Sequence, residues 1–262
     1  MATASDHAHP RRSCSLRTLT TTTPFPHSPP GRGTRTAPRP CRSRLPTRPR
    51  RTAARIVGVT ALEYALLIPV KDGRTAKSRL GVGDDGERAQ LMAAFARDAI
   101  SAAAAVPGTA VHVVGDEAAL AEVLDGLEVT VLPDEGEGQL NRALSRAAER
   151  LARPDLAIAV LLADLPCLRT ADLASALSDG HDRRFVADAA GTGTTLLVAP
   201  AGSTLDPRFG PGSAAAHRQS GARPLDAELA SLRLDVDTTD DLEAALRFGV
   251  GVHTAKTASG RL

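Results

Sequence analysis

Paired cysteines, lysines and long apolar runs are all scarce in this chain of 262 residues, and each shortage excludes something. Cys14, Cys41 and Cys167 share no motif spacing, which argues against a disulfide framework or a cysteine zinc site and fits a reducing compartment. No apolar run approaches the length of a membrane helix, and the leader lacks the apolar segment of a secretory signal. The expectation is a soluble, cytoplasmic protein with no membrane partner. No G-x-x-x-x-G-K-[ST] occurs, so there is no P-loop. Gly81-Val82-Gly83-Asp84-Asp85-Gly86 matches G-x-G-x-x-G literally, but about ten residues separate it from the preceding strand, and two aspartates occupy the loop that would face a pyrophosphate. It is expected to be a turn.

The net charge of +2 hides a division. Residues 1–55 hold twelve Arg, no Lys and a single acid, Asp6; after them come 20 basic and 29 acidic side chains, a net of −9. A net acidic folded part does not suit phosphate contacts over a whole surface, so no stable nucleic-acid partner is expected. Residues 1–55 also hold nine of the eighteen prolines and show no periodicity, and they are expected to be disordered. An organelle transit peptide, a basic arm for nucleic acid and a mis-annotated start are three readings of this leader. The third is favoured, because the Ala-, Arg- and Gly-rich, Lys-poor remainder has the composition of a GC-rich bacterial gene. The domain is placed at residues 56–252, with residues 253–262 as a flexible end.

Ala157-Ile158-Ala159-Val160-Leu161-Leu162-Ala163 is an uncharged run that stops on Asp164 and is turned aside by Pro166. It reads as a strand buried on both faces of a parallel sheet. An acid just past such a strand faces the crevice where ligands bind in open α/β sheets, although Asp also opens turns. Strand and helix patterns alternate along the domain, which indicates an α/β fold with a mainly parallel sheet and flanking helices. Strands are expected over Ala65–Val70, Ala110–Val114, Glu128–Leu132 and Leu232–Asp237. Only three lysines exist, and Lys71 and Lys77 lie with Arg74 and Arg79 directly after the first of those strands, a composition suited to an anion cradle.

Other segments carry a second set of candidates. The acidic loop 133–139 leads into a helix whose Asn141 offers a donor and an acceptor for a base edge, and Gly136 and Gly138 permit close backbone approach. Gly191-Thr192-Gly193-Thr194-Thr195 exposes amides and hydroxyls for an anion, or forms a tight hairpin. Ser213, after Arg208-Phe209-Gly210-Pro211-Gly212, is expected to N-cap a helix, and His217 a turn later reads as a surface or packing residue. Thr238 and Asp241 form a capping box, so Asp237 and Asp241 have structural roles, whereas Asp235 pairs with Asp164 as a candidate site for Mg²⁺.

As an ordered set, Ile68-Pro69-Val70-Lys71, Ala76-Lys77-Ser78-Arg79-Leu80, Ala163-Asp164-Leu165-Pro166, Gly191-Thr192-Gly193-Thr194-Thr195, Phe209-Gly210-Pro211-Gly212-Ser213 and Asp235-Val236-Asp237-Thr238 resemble one family. It is the phosphoenolpyruvate or 2-phospho-L-lactate guanylyltransferases of coenzyme F-420 biosynthesis. The resemblance spans about Tyr64 to Val252 and leaves out the leader. It implies a single-domain nucleotidyltransferase fold of the nucleotide-diphospho-sugar transferase type. It also implies Mg²⁺ on Asp164 and Asp235, phosphoenolpyruvate on Lys71, Thr195, Gly210 and Ser213, and GTP near Lys77, Arg79, Gly138 and Asn141. The product would pass to a downstream transferase, and a homo-oligomer stays open. An anionic phosphate needs no activated nucleophile, which agrees with the absence of any Ser-His-Asp or Cys-His arrangement. Three rivals follow: 2-phospho-L-lactate or 3-phosphoglycerate as the acceptor, another cofactor nucleotidyltransferase of the same fold, and nucleic-acid binding through the leader. The second lacks its expected Gly-rich first loop here.

Overall fold

The structure is a computed structural model and describes residues 64–71, 80–81, 83–178, 181–225 and 228–259. Lys77 and Arg79, the cations expected at a triphosphate, lie outside the described residues. Strand β1 (Tyr64–Pro69) leads to α1 (Asp85–Ala104), β2 (Thr109–Val114), α2 (Glu117–Leu124), β3 (Thr130–Leu132), α3 (Leu140–Leu151) and β4 (Ala157–Leu161). There follow α4 (Thr170–Ser178), β5 (Arg184–Ala187), β6 (Thr194–Ala199), α5 (Ser213–Gln219), β7 (Arg223–Pro224), α6 (Thr239–Phe248) and α7 (Val252–Ser259). The strands form one sheet in the order β3-β2-β1-β4-β6-β5-β7.

Strands β1 to β4 are parallel because a helix returns the chain after each of the first three. The segment 188–193 between β5 and β6 is too short for a crossover, so β6 runs antiparallel to both β5 and β4. The sheet is therefore mixed but mainly parallel. Successive residues of β1 point to opposite faces: Leu66 and Ile68 pack with α1, α2 and α4, while Ala65 and Leu67 pack with α3 and α5. All five residues of β4 are buried, which explains a segment without a single polar side chain. Truncating the fully buried Leu161 to Ala is expected to cost about 2–5 kcal/mol.

Local chemistry sets the helix ends. Asp84 accepts from the Glu87 amide at 2.8 Å and Glu87 reaches back to the Asp84 amide, so the glycine-aspartate run is a capping box that starts α1. The capping box expected at Thr238 and Asp241 starts α6.

Three expectations need correction. Residues 232–237 do not form a strand; a 3-10 turn at Ala230–Leu232 is followed by a strap that pairs with no strand of the sheet. Ser213 is the first residue of α5 rather than its cap, because Gly212 holds that place with φ 72° and Ser213 is turned inward and buried. Of residues 253–262, expected to be a flexible end, 253–259 belong to α7 on α1, where the buried Asp98 accepts from the amides of His253 (3.1 Å) and Thr254 (2.8 Å). A Cβ on Gly251 would lie 2.3 Å from the Asp98 carboxyl carbon, so only glycine lets the chain pass there. Among the described residues no helix is long and apolar enough to cross a membrane.

Candidate active site

Strands β1, β2 and β3 step one way across the sheet while β4 lies on the other side of β1, so the strand order reverses between β1 and β4. Crevices open beyond the carboxyl ends of strands at such a reversal. Lys71 and Asp164 are the residues delivered there, each four positions beyond the paired Leu67 and Val160. Both line a cleft of about 1120 Å³ that extends between α1 and α2, with Val70, Leu140 and Ala163. Asp235, Gly210 and Ser213 lie outside its lining.

The antiparallel turn of β6 brings more residues to the same rim. The amide of Leu162 donates to the Thr195 carbonyl at 2.9 Å, joining the start of β6 to the end of β4. Asp188 follows β5 at this edge, and its carboxylate accepts from the amides of Thr192 (2.9 Å) and Gly193 (2.7 Å), which shapes the glycine-threonine loop. The strap then crosses all of them. Ala189 donates to the Arg233 carbonyl at 2.8 Å, and Val236 donates to the Asp164 carbonyl at 3.0 Å, so Asp235 is held between β5 and β4. This is why Leu232-Arg233-Leu234-Asp235 alternates like a strand without pairing like one.

Asp235 records the crowding. Burial pushes its carboxyl up to about 7, and the neighbouring charges of Asp164, Asp237 and Asp188 push in the same direction. Carboxylates held this close while partly buried suit a divalent cation, which removes the repulsion. Among the described residues no group of three or more His, Cys, Asp or Glu side chains forms a complete metal cage. Asp164 and Asp235 supply two carboxylates to this rim, the donor type that a hard divalent cation takes.

The other expected site residues are distributed as follows. Thr195 is buried and its hydroxyl donates to the Leu232 carbonyl, so this side chain fastens the strap. Gly210 is exposed with φ 130°, and its carbonyl accepts from the Ser213 amide at 3.0 Å. Gly138 follows β3 at the same sheet end with φ 82°, next to Glu137, whose positive φ of 52° is steadied by a two-pronged ion pair to Arg142 at 2.8 and 3.0 Å. Asn141 does not stand open for a base edge in the way its position suggests: its amide bonds the main chain of Phe209 in both directions.

Two residues were not legible as part of this arrangement. Asp188 sits in no motif; the only signal was its place between a strand and a glycine-threonine run. His217 is fully buried between Phe185 and Phe209, accepting from the Arg208 amide at 2.9 Å through Nε2 and meeting Thr194 Oγ1 at 2.9 Å through Nδ1. A main-chain donor on Nε2 leaves the proton on Nδ1, and burial holds the imidazole neutral, its pKa lowered to about 4.

A mainly parallel sheet with a β4–β6 reversal is a fold of the nucleotide-diphospho-sugar transferase-like kind. A crystal structure from Desulfovibrio desulfuricans G20, provisionally named a nucleotide-diphospho-sugar transferase, superimposes with a TM-score of 0.58 at 20% identity, covering 75% of this chain and 95% of that one. Residues 64–257 match the family model described as "Guanylyl transferase CofC like", and the chain belongs to that family. Relatives named phosphoenolpyruvate guanylyltransferase include one from Streptomyces coelicolor, 46% identical over 76% of this chain and 97% of its own length. Others from Thermomonospora curvata and Geodermatophilus obscurus are 44% and 41% identical over 76% and 77% of this chain and 90% and 97% of their own.

Proposed function

We propose that this protein transfers GMP from GTP to phosphoenolpyruvate, in the cytoplasm, as a step of coenzyme F-420 biosynthesis. Three features support the proposal: Lys71 and Asp164 follow β1 and β4 at the reversal, Asp235 sits on the strap bonded to the Asp164 carbonyl, and the chain shares 41–46% identity with relatives named for this activity. A phosphate oxygen of phosphoenolpyruvate attacks the α-phosphorus of GTP. A new P–O–P bond forms, and the bond to the β-phosphate breaks with its electron pair leaving on pyrophosphate. The product is enolpyruvoyl-2-diphospho-5'-guanosine, which a downstream transferase would consume.

The attacking oxygen is already anionic, so the protein's task is alignment and charge neutralisation. Lys71 supplies a mobile ammonium at the mouth of the cleft, in keeping with its exposure. Gly210 and Ser213 lie on the loop that would receive the acceptor, and Thr195 serves that side by fixing the strap that carries Asp235. Gly138 and the first turn of α3 lie on the nucleotide side, with Lys77 and Arg79 assigned to the triphosphate. Mg²⁺ held by Asp164 and Asp235 would offset the repulsion between two anionic reactants and stabilise the departing pyrophosphate.

Incubating the purified protein with GTP, Mg²⁺ and each of phosphoenolpyruvate, 2-phospho-L-lactate and 3-phosphoglycerate, with products identified by mass, tests the reading. Guanylylated enolpyruvate and pyrophosphate are expected. Product from another acid alone would reassign the acceptor, and no GMP transfer to any of them would refute the proposal.

A further inference from the structure

The loop that carries Gly210 takes its shape from side chains on two helices. The Phe209 amide donates to Asn141 Oδ1 at 2.7 Å, and Asn141 Nδ2 donates to the Phe209 carbonyl at 2.9 Å. One side-chain amide thus grips both polar groups of a single residue, as a neighbouring strand would. The preceding amide, Arg208, is held by His217, and the Phe209 ring is buried edge-on against that imidazole with centroids 5.1 Å apart. Immediately after comes Gly210 at φ 130°, a conformation that side-chain-bearing residues rarely adopt. The backbone there is set from outside. Asn141 is also in the first turn of α3, just beyond the loop that bears Gly138.

We infer that Asn141 is a positioning residue that ties the acceptor loop 209–213 to the nucleotide-side start of α3, and so controls phosphoenolpyruvate binding without touching either substrate. This rests on the assignment of Gly210 and Ser213 to the acceptor, and it replaces the expectation that Asn141 reads guanine. Serving Phe209 in both directions fixes the residue to an amide. Aspartate keeps the acceptor for the Phe209 amide but sets a second acceptor against its carbonyl, and alanine keeps neither.

The test compares the full chain with Asn141→Ala and Asn141→Asp, using hydrogen exchange at the Phe209 amide together with guanylyl-transfer kinetics. Loss of two hydrogen bonds in Asn141→Ala is expected to raise KM for phosphoenolpyruvate about tenfold or more, with KM for GTP changed less than about twofold. Phe209 should lose protection in that variant while the β6 and α5 amides keep theirs. Asn141→Asp should keep protection at Phe209 and still show the raised KM for phosphoenolpyruvate, which a merely unfolded loop would not. Unchanged Phe209 exchange in Asn141→Ala, or a rise in KM for GTP with phosphoenolpyruvate unaffected, would overturn the inference. Wild-type protein that forms no product would instead sink the proposed function, and Phe209 exchange would still decide whether Asn141 sets the loop.

Discussion

Acid should destabilise this protein through one residue, His217. Its imidazole is fully buried and neutral, with Nε2 accepting the Arg208 amide and Nδ1 facing Thr194. Burial lowers its pKa from 6.5 to about 4, with the positive charge of Arg183 pushing the same way. A group whose folded pKa is depressed binds protons more tightly when unfolded, so for a histidine the folded state loses stability as pH falls from the unfolded value toward the folded one. At about pH 7.5 both states are neutral and the linkage is close to nil. At about pH 5 the unfolded imidazole is almost fully protonated and the folded one is not, which corresponds to about 2 kcal/mol of lost stability. Urea unfolding of wild type and His217→Gln at both pH values isolates this contribution. Glutamine cannot titrate but retains an acceptor for the Arg208 amide, and other groups, Asp235 included, cancel between the two proteins. Wild type is expected to lose about 2 kcal/mol more than the variant between the two conditions. Equal losses would show that His217 is not held neutral in the fold.

Two further perturbations probe the frame and the leader. Asp98→Ala removes the acceptor for the His253 and Thr254 amides and should cost about 1–3 kcal/mol in chemical unfolding, with earlier exchange across α7; an unchanged midpoint would contradict the docking described for that helix. Deleting residues 1–55 should leave kcat/KM for guanylyl transfer unaltered, since the family match begins at Tyr64. Loss of transfer on deletion would favour a role for the Arg-rich leader in function.

Much of the sheet could be inferred from residue patterns because β4, at its centre, carries no polar side chain to confuse the period. The Ala157–Leu161 run, its stop at Asp164 and the helix faces at Leu91, Phe95 and Leu144 are local features, and burial alone produces them. Strand direction is not local in that sense: Thr194–Ala199 is buried whichever way it runs, and only the shortness of 188–193 betrays the reversal. The strap at 233–237 has the alternation of a strand because Leu234 and Val236 pack on the core between polar residues, yet its hydrogen bonds go to Ala189 and the Asp164 carbonyl instead of a ladder. Asn141 and Phe209 stand 68 positions apart, and nothing in either stretch announces that the amide will close on the peptide. Gly212 displaced Ser213 as the helix cap because the turn needs a positive φ.

We propose that Asp164 and Asp235 act together where β1 and β4 part. The most direct measurement is the turnover of GTP and phosphoenolpyruvate by Asp164→Asn at saturating Mg²⁺, alongside circular dichroism to establish that the variant is folded. A fall in kcat of about a thousandfold or more with an unchanged spectrum is the predicted result. Turnover within about tenfold of wild type would mean that the carboxylate does not hold the metal and that the reaction is organised elsewhere.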